Sequence, residues 1–297
     1  MINAIFLFGI AVIVTTPSFA GMTNDYSDDF QSAVKLFKGG KNEDSRAAFM
    51  KLAAHAPTPK SKAKAMSYAA LSLGRQKKYD EAMALASRIE IRPLSIKCRM
   101  ELMLANQKEK ELVAEFMDEE IDLWPEALIT SGFYLRGQAY SRLKNYRAAL
   151  EDFEQAARNA CDRDELVNAL LNLAGVAQIL NEDQKAVDAY LNILQLTNRW
   201  HRKYTQAVLG LAAALKRQGK YDEALKELGK LEIPKASGGD WHLQILSTYG
   251  EVYEARGDRD QAMAKYREAL AVTNAQAGFI AGVSNKIERL VRIQSNP

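Results

Sequence analysis

The strongest constraint on this chain is a short pattern that it repeats at a nearly fixed interval. The letters K-Y-D-E-A occur at Lys78 to Ala82 and again at Lys220 to Ala224. Equivalent alanines, used here as markers, recur at intervals of 67, 37, 38 and 38 residues, and the first interval equals two units of about 34. The markers are Ala82, Ala149, Ala186, Ala224 and Ala262. A period of this length indicates stacked copies of one structural unit.

The markers Ala149, Ala186 and Ala262 begin the same helical spacing. A small residue is followed by a large one four positions later and by a smaller one three positions after that, as in Ala149, Phe153 and Ala156. This spacing places the three side chains on one face of an α-helix. In K-Y-D-E-A we expect the tyrosine, Tyr79 or Tyr221, to begin that helix, because the acidic residues that follow favour its positive N-terminal end.

A second apolar helix precedes each marker and carries a small residue in its middle, which is glycine at Gly137 and Gly250. Glycine inside a helix costs about 1 kcal/mol relative to alanine, so its recurrence at one phase indicates that another backbone comes close. We expect the marker alanine of the next helix to be its partner. The predicted structural joints between helices are Gly137, Ala149, Ala186, Ala224, Gly250 and Ala262.

These residues resemble the tetratricopeptide repeat (TPR), which has an aromatic or apolar residue, Gly and Tyr on its first helix and Ala, Phe and Ala on its second. The best match runs from Thr130 to Arg163, with Phe133, Gly137, Tyr140, Tyr146, Ala149, Phe153 and Ala156 in register. The resemblance implies an all-α, right-handed α-solenoid of about seven helix-turn-helix repeats. The predicted units are 26–59, 63–96, 97–129, 130–163, 167–200, 205–238 and 243–276, within a solenoid of 21–276 that a capping helix at 277–297 closes.

The first twenty residues have the pattern of a signal peptide. They contain no charged side chain, and their apolar run from Ala4 to Val14 is shorter than the roughly 20 residues that a membrane-spanning helix needs. Ser18 and Ala20 suit the −3 and −1 positions of a cleavage site, so we expect cleavage after Ala20 and a periplasmic or secreted protein without stable membrane insertion. The missing basic residue before the run leaves open a retained anchor or a buried first helix.

Composition and motifs give no sign of catalysis. The 40 Lys and Arg residues nearly balance the 37 Asp and Glu residues, and a net charge of +3 gives no general attraction to nucleic acid. His55, His201 and His242 stand in different units, and Cys98 and Cys161 lie more than one repeat apart, so we expect no metal site and two free thiols. Phosphate-loop, dinucleotide and hydrolase motifs are absent from the sequence. We therefore expect a protein that is not an enzyme and needs no cofactor.

The resemblance also implies where a partner binds, because the first helix of each TPR lines the concave groove of the solenoid. Carried onto this sequence, the groove residues are Tyr134, Gln138, Arg142, Asn168, Leu171, Gln178, Gln206 and Lys216. Amide side chains suit the main chain of an extended peptide, and apolar ones select its side chains. A groove that is only solvated remains open for each of these residues.

We thus expect an exported TPR scaffold or adaptor that binds a protein or peptide in its concave groove, in bacterial cell-envelope assembly. The alternative is a glycan-binding module or a non-catalytic accessory subunit of a cell-wall enzyme. That alternative depends on two Trp-His pairs, at Trp200 and Trp241, which could form an exposed aromatic rim. The same tryptophans could simply cover the junctions between repeats.

Overall fold

The computed structural model describes residues 24–199, 201–231 and 239–295, and these ranges contain α-helices, one short 3-10 helix and no β-strand. The first eight helices are α1 Asn24–Lys38, α2 Asn42–Ala54, α3 Pro59–Arg75, α4 Tyr79–Ser87, α5 Arg92–Ala105, α6 Glu109–Phe116, α7 Glu126–Arg142 and α8 Tyr146–Arg158. The others are α9 Arg163–Ile179, α10 Asp183–Leu196, α11 Arg202–Arg217, α12 Tyr221–Leu228, α13 Asp240–Arg256, α14 Arg259–Leu270 and α15 Ala277–Ser295. The predicted leader with its cleavage after Ala20 lies outside the described residues, as does Trp200.

Within the described chain the helices form successive pairs. From α1 to α8, α1 packs on α2, α3 on α4, α5 on α6 and α7 on α8. The first helix of each of these pairs also contacts the first helix of the next pair, so that α1 touches α3, α3 touches α5 and α5 touches α7. From α11 onward, α11 packs on α12 and α13 on α14. In addition, α11 contacts α13 and α13 contacts α15. The all-α fold class predicted from the repeat is therefore confirmed.

The chain divides into two compact units within α9. Unit 1 ends at Leu166 and unit 2 begins at Val167. The core of unit 1 includes an aromatic cluster in which the Phe49 and Tyr68 rings stack with centroids 4.8 Å apart and the Phe30 ring meets Phe49 edge-on at 5.3 Å. At the C-terminal end of unit 2, the side chains of Leu243, Leu246, Tyr266, Val283 and Leu290 join α13, α14 and α15 in one apolar cluster.

The turn inside each pair has a constant geometry. One residue with a left-handed backbone stands two positions before the second helix of every pair: Gly40, Lys77, Gln107, Lys144, Asn181, Gly219 and Gly257, with φ between 58° and 94°. Left-handed backbone favours glycine, but four of these residues have side chains. As predicted, the next helix begins at Tyr79 and at Tyr221, and in a third pair it begins at Tyr146.

Candidate binding face

The candidate site in unit 2 is a surface made by the first helices of its pairs, which we call the A-helix face. It comprises Asn168, Leu171, Gly175 and Gln178 of α9, Gln206, Leu209, Ala213 and Lys216 of α11, and Glu251 of α13. All of these residues are half-buried, so their side chains share packing with an open surface. The predicted groove residues of this unit therefore lie where a partner can reach them.

Hydrogen bonds fix part of this face in position. The Gln178 amide nitrogen donates to the Gly210 carbonyl of α11 at 2.9 Å, and the Gln178 amide oxygen accepts from the Tyr190 hydroxyl at 3.3 Å. Burial raises the pKa of Tyr190, which therefore stays a neutral donor. Both ends of the Gln178 amide are thus used inside the protein, which makes Gln178 a link between helices before it is a ligand-binding group.

Charged groups continue the face across three helices. The Glu251 carboxylate lies between the Lys216 ammonium at 2.7 Å and the Lys286 ammonium at 2.5 Å, and Lys286 also donates to the Ser247 hydroxyl at 2.8 Å. Burial alone would raise the pKa of Glu251, but the two neighbouring ammonium groups outweigh it and lower that pKa. Two ammonium groups share one carboxylate here, so this group of three side chains has a net charge of about +1 at neutral pH.

Gly175 stands in the middle of the A-helix face without a packing role. Apart from its chain neighbours and the nearby backbone of α9, no atom of the described residues lies within 4 Å of the position that a Cβ on Gly175 would take. Glycine weakens a helix by about 0.5–1 kcal/mol relative to alanine, and internal packing does not account for that cost here. An open backbone at this point leaves room for another chain to approach α9 closely.

The predicted groove residues of unit 1 have a different environment. Tyr134 and Gln138 are only 4% and 8% exposed, and the Tyr134 ring packs 5.9 Å from the Phe153 ring. The Arg142 guanidinium donates to the Leu104 carbonyl at 2.9 Å and to the Glu109 carboxylate at 2.8 Å. The assignment of Tyr134 and Gln138 to an open groove was wrong, because both side chains pack into the core.

The predicted joints pack tightly, but not through the expected contact. The alanines Ala149, Ala186, Ala224 and Ala262 are fully buried. A Cβ on Gly250 would lie 2.4 Å from the Tyr266 ring, and one on Gly137 would lie 3.0 Å from the Phe153 ring. The glycines therefore make room for the large aromatic residue of the second helix. The nearest atoms to these two glycines belong to the second helix as expected, but they come from its large aromatic residue and not from the marker alanine.

Sequence reasoning missed charged residues that the fold brings together. Glu251 occupies the position one interval of 38 residues after Ala213, so extending the groove pattern by one more unit would have found it. In unit 1, the Lys97 ammonium binds the Glu101 carboxylate at 2.7 Å, one helical turn away, and both side chains are nearly buried. A lysine and a glutamate four residues apart usually mark a solvated face, so no sequence signal separated this pair from surface pairs.

The remaining candidates for chemistry are scattered. Cys98 is buried, with its thiol pKa raised to about 12 by burial, whereas Cys161 is exposed, and both are free thiols. Among the described residues, no group of three or more His, Cys, Asp and Glu side chains could hold a metal ion. No helix in the same ranges is long and apolar enough to cross a membrane.

Of the two predicted aromatic rims, one can be described. The Trp241 side chain is half-buried at the start of α13, and the Arg202 guanidinium carbon lies 5.4 Å from its ring centroid. A cation at this distance over the ring makes a cation–π contact and covers one ring face. A sugar that stacked on that face would have to displace Arg202.

Comparison with known proteins supports the repeat at one place in the sequence and the fold along most of it. The family model for the tetratricopeptide repeat matches residues 131–160. No curated protein matches the chain. The C-terminal part of a TPR repeat-containing protein from Cytophaga hutchinsonii is similar in structure, with a TM-score of 0.51 and 16% identity over 85% of this chain and 98% of that one.

Two larger proteins contain a similar arrangement. The human IFIT1 dimer with PPP-AAAA has a TM-score of 0.56 and 18% identity over 91% of this chain. The APC/C hetero-tetramer Cut9-Hcn1 has a TM-score of 0.55 and 15% identity over 87% of this chain. This chain spans 64% of the first and 48% of the second. At such identities the likeness establishes the fold alone, which is an all-α arrangement of TPR-like helix pairs, and residues 131–160 are the repeat that the family model matches.

Proposed function

We propose that the protein is a non-catalytic scaffold that binds an extended segment of a partner protein on the A-helix face of unit 2. The observation that carries this proposal is the contrast between the two sets of predicted groove residues. In unit 2 the side chains of Asn168, Leu171 and Gln206 are half-exposed on one face, whereas Tyr134 and Gln138 in unit 1 are buried. This contrast supports a peptide-binding surface on unit 2.

The chemistry of this face suits a peptide better than a small substrate. Side-chain amides such as Asn168 and Gln206 can bond both the N–H and C=O groups of an extended main chain. Leu171 and Leu209 offer apolar contacts for its side chains, and Gly175 leaves open space between them. A segment that binds here needs no shape beyond an extended backbone and apolar side chains at suitable intervals.

We also propose that the protein works outside the cytoplasm, in the assembly of a bacterial cell envelope. The support is the leader pattern of residues 1–20, whose apolar run and small residues Ser18 and Ala20 suit export and cleavage. N-terminal sequencing of the protein purified from its host should begin at Gly21. A first residue of Met1 would contradict the proposed cleavage.

The glycan-binding alternative receives no comparable support. Its two tryptophans are Trp200, which lies outside the described residues, and Trp241, which has Arg202 over its ring. We therefore favour a protein partner.

The binding face can be tested with a photo-crosslinking amino acid placed in the protein in its native host. Leu171 and Leu209 are the two sites on the A-helix face, and Leu191 of α10, which is 42% exposed, is the matched leucine outside it. We expect one discrete adduct from sites 171 and 209 and none from 191. The same adduct from all three sites, or an adduct from 191 alone, would place binding elsewhere.

A further inference from the structure

The loop between α6 and α7, residues 117–125, exposes two large apolar side chains. Leu123 is 76% exposed and Met117 is 52% exposed. Single exposed apolar residues are common on protein surfaces. This pair is unusual because the backbone that carries it is held firmly.

Two sets of contacts hold the α6–α7 loop in place. The Arg136 guanidinium donates to the backbone carbonyls of Met117 at 3.1 Å and Glu119 at 3.3 Å. On the other side, the buried side chains of Ile121 and Trp124 pack on Gly132, where an added Cβ would lie 2.7 Å from the Trp124 ring. The Trp124 ring nitrogen also donates to the Glu119 carboxylate at 3.0 Å.

This anchoring gives the loop the properties of a docking element. The loop buries the side chains of Ile121 and Trp124 and leaves those of Leu123 and Met117 in water. A preorganised loop loses little conformational freedom when it binds, which leaves more of the apolar contact as affinity. A mobile loop with the same two side chains would not have this advantage.

The charge around these apolar residues is negative. Asp118, Glu120, Asp122 and Glu126 are exposed and make no salt bridge within the part of the chain that the structure describes. The nearby cations have partners already, since Arg92 binds Glu119 and Arg136 binds Asp152. An acidic rim of this kind repels anionic membranes and nucleic acids and attracts a basic protein surface.

A cleft of about 350 Å³ adjoins the loop, and its lining includes Glu119 of the loop and Phe116 at the end of α6. Ile89 and Ile96 contribute apolar walls. The glutamates that line the cleft are already paired, Glu90 with Lys62, Glu115 with Arg99 and Glu119 with Arg92. The cleft therefore adds apolar surface beside the loop, and the unpaired negative charge lies on the loop itself.

From these observations we propose that the α6–α7 loop is a second docking site, for a basic protein surface with an apolar pocket. Leu123 and Met117 would enter the pocket, and the acidic side chains around them would meet lysine and arginine residues at its rim. This site lies in unit 1 and does not depend on the A-helix face of unit 2. Its failure and the failure of the proposed peptide-binding function are therefore separate results.

The test uses a phage-displayed library of random dodecapeptides as the probe. The full chain is the target, and Leu123→Ser/Met117→Ser is the counter-target that removes peptides bound elsewhere. We expect enriched peptides that combine leucine, phenylalanine or methionine with lysine or arginine. The best peptide should lose about tenfold or more in affinity for Leu123→Ser/Met117→Ser, because a central apolar anchor contributes much of the binding free energy.

Two further variants test the contribution of the acidic residues and the specificity for the α6–α7 loop. Asp118→Asn/Glu120→Gln/Asp122→Asn should weaken binding and flatten its dependence on salt, since rim charges act through screened electrostatics. Leu191→Ser, at an exposed leucine of unit 2, should bind the peptide as the wild type does. Circular dichroism of all variants checks that they are folded.

Three outcomes would overturn the proposal. They are no enrichment against the counter-target, enriched peptides without basic residues, and equal affinity for the wild type and Leu123→Ser/Met117→Ser. Sedimentation of the wild type and of Leu123→Ser gives the last check. If the wild type is a dimer that this substitution dissociates, the loop is an interface between copies of the chain and no separate basic partner is needed.

Discussion

The guanidinium of Arg136 on α7 makes two parallel hydrogen bonds to the carboxylate of Asp152 on α8, from Nε to Oδ2 at 2.9 Å and from Nη2 to Oδ1 at 2.8 Å. Both side chains are nearly buried. Burial raises the pKa of Asp152, and the neighbouring guanidinium opposes this only in part. Because the remaining nitrogen of Arg136 holds the α6–α7 loop, one side chain joins the helix pair to the loop.

Removing Arg136 alone should therefore be severe. Arg136→Ala leaves the Asp152 carboxylate buried without its counter-charge, and such a change costs about 3–5 kcal/mol. Arg136→Met/Asp152→Leu removes both charges and should recover much of that loss. Urea unfolding followed by circular dichroism measures both values. A double variant as unstable as Arg136→Ala would show that the loop contacts, and not the ion pair, carry the stability.

The two glycines Gly250 and Gly175 lie in first helices of the same unit and should respond in opposite directions to alanine. Gly250→Ala pushes a methyl group into the Tyr266 ring and should destabilise the protein by about 1–3 kcal/mol. Gly175→Ala meets open space and should stabilise it by about 0.5–1 kcal/mol through helix propensity. The free energy of unfolding of each variant gives the comparison. Equal signs for the two would contradict the close approach at Gly250 or the open space at Gly175.

The fold could be predicted from the sequence because the packing of its helices depends on the size of a few recurring residues. A small residue at a fixed phase, such as Ala149 or Gly137, allows two helices to pack closely, and its recurrence at a fixed interval can be read from the sequence. The open face was less predictable. Whether Tyr134 lines a groove or fills a core depends on how deeply α7 packs, and the family position that it occupies does not determine that depth.

The exposed apolar residues of the α6–α7 loop could not be predicted from the sequence, for another reason. The segment from Cys98 to Pro125 lacks the recurring small residues of the other repeats, and its sequence does not indicate which apolar side chains are buried. Ile121 and Leu123 stand two positions apart, and only the first is buried. The contact of Ile121 and Trp124 with Gly132 decides this, and it joins residues that no repeat pattern relates.

The marker alanine gives a direct test of the repeat. Ala149 is fully buried, so Ala149→Leu should overpack the contact between α7 and α8 and cost about 1–3 kcal/mol. Glu151, two positions later, is exposed, and Glu151→Leu should leave the stability nearly unchanged. Thermal unfolding compares the two leucine variants. Equal melting temperatures would contradict the assignment of Ala149 to a joint.

The two copies of K-Y-D-E-A differ at the left-handed turn residue that directly precedes them. The first copy has Lys77 with φ 62°, and the second has Gly219 with φ 74°. Left-handed backbone costs a residue with a side chain about 1–2 kcal/mol, part of which glycine loses again through the greater freedom of its unfolded chain. Lys77→Gly should thus stabilise the protein by about 0.5–1 kcal/mol, and Gly219→Lys should destabilise it. Urea midpoints measure both. A destabilised Lys77→Gly would mean that the Lys77 side chain makes a contact worth more than the strain.

The Glu251 carboxylate should make the stability of unit 2 depend on pH. Its pKa lies below the ordinary value of 4.5 because the Lys216 and Lys286 ammonium groups outweigh burial. A carboxyl group with a lowered pKa in the folded state stabilises the protein above its unfolded pKa, and that contribution is lost as the pH falls through the folded pKa.

Glu251→Gln should accordingly lower the melting temperature by a few degrees at pH 7, and the difference from the wild type should shrink as the pH falls below about 4. Glu268→Gln is the matched control, since Glu268 pairs with Lys265 on an exposed surface where an ion pair contributes little. It should change the melting temperature only slightly at either pH. A Glu251→Gln difference that stays constant between pH 7 and pH 3 would show that the carboxylate acts through packing and not through its charge.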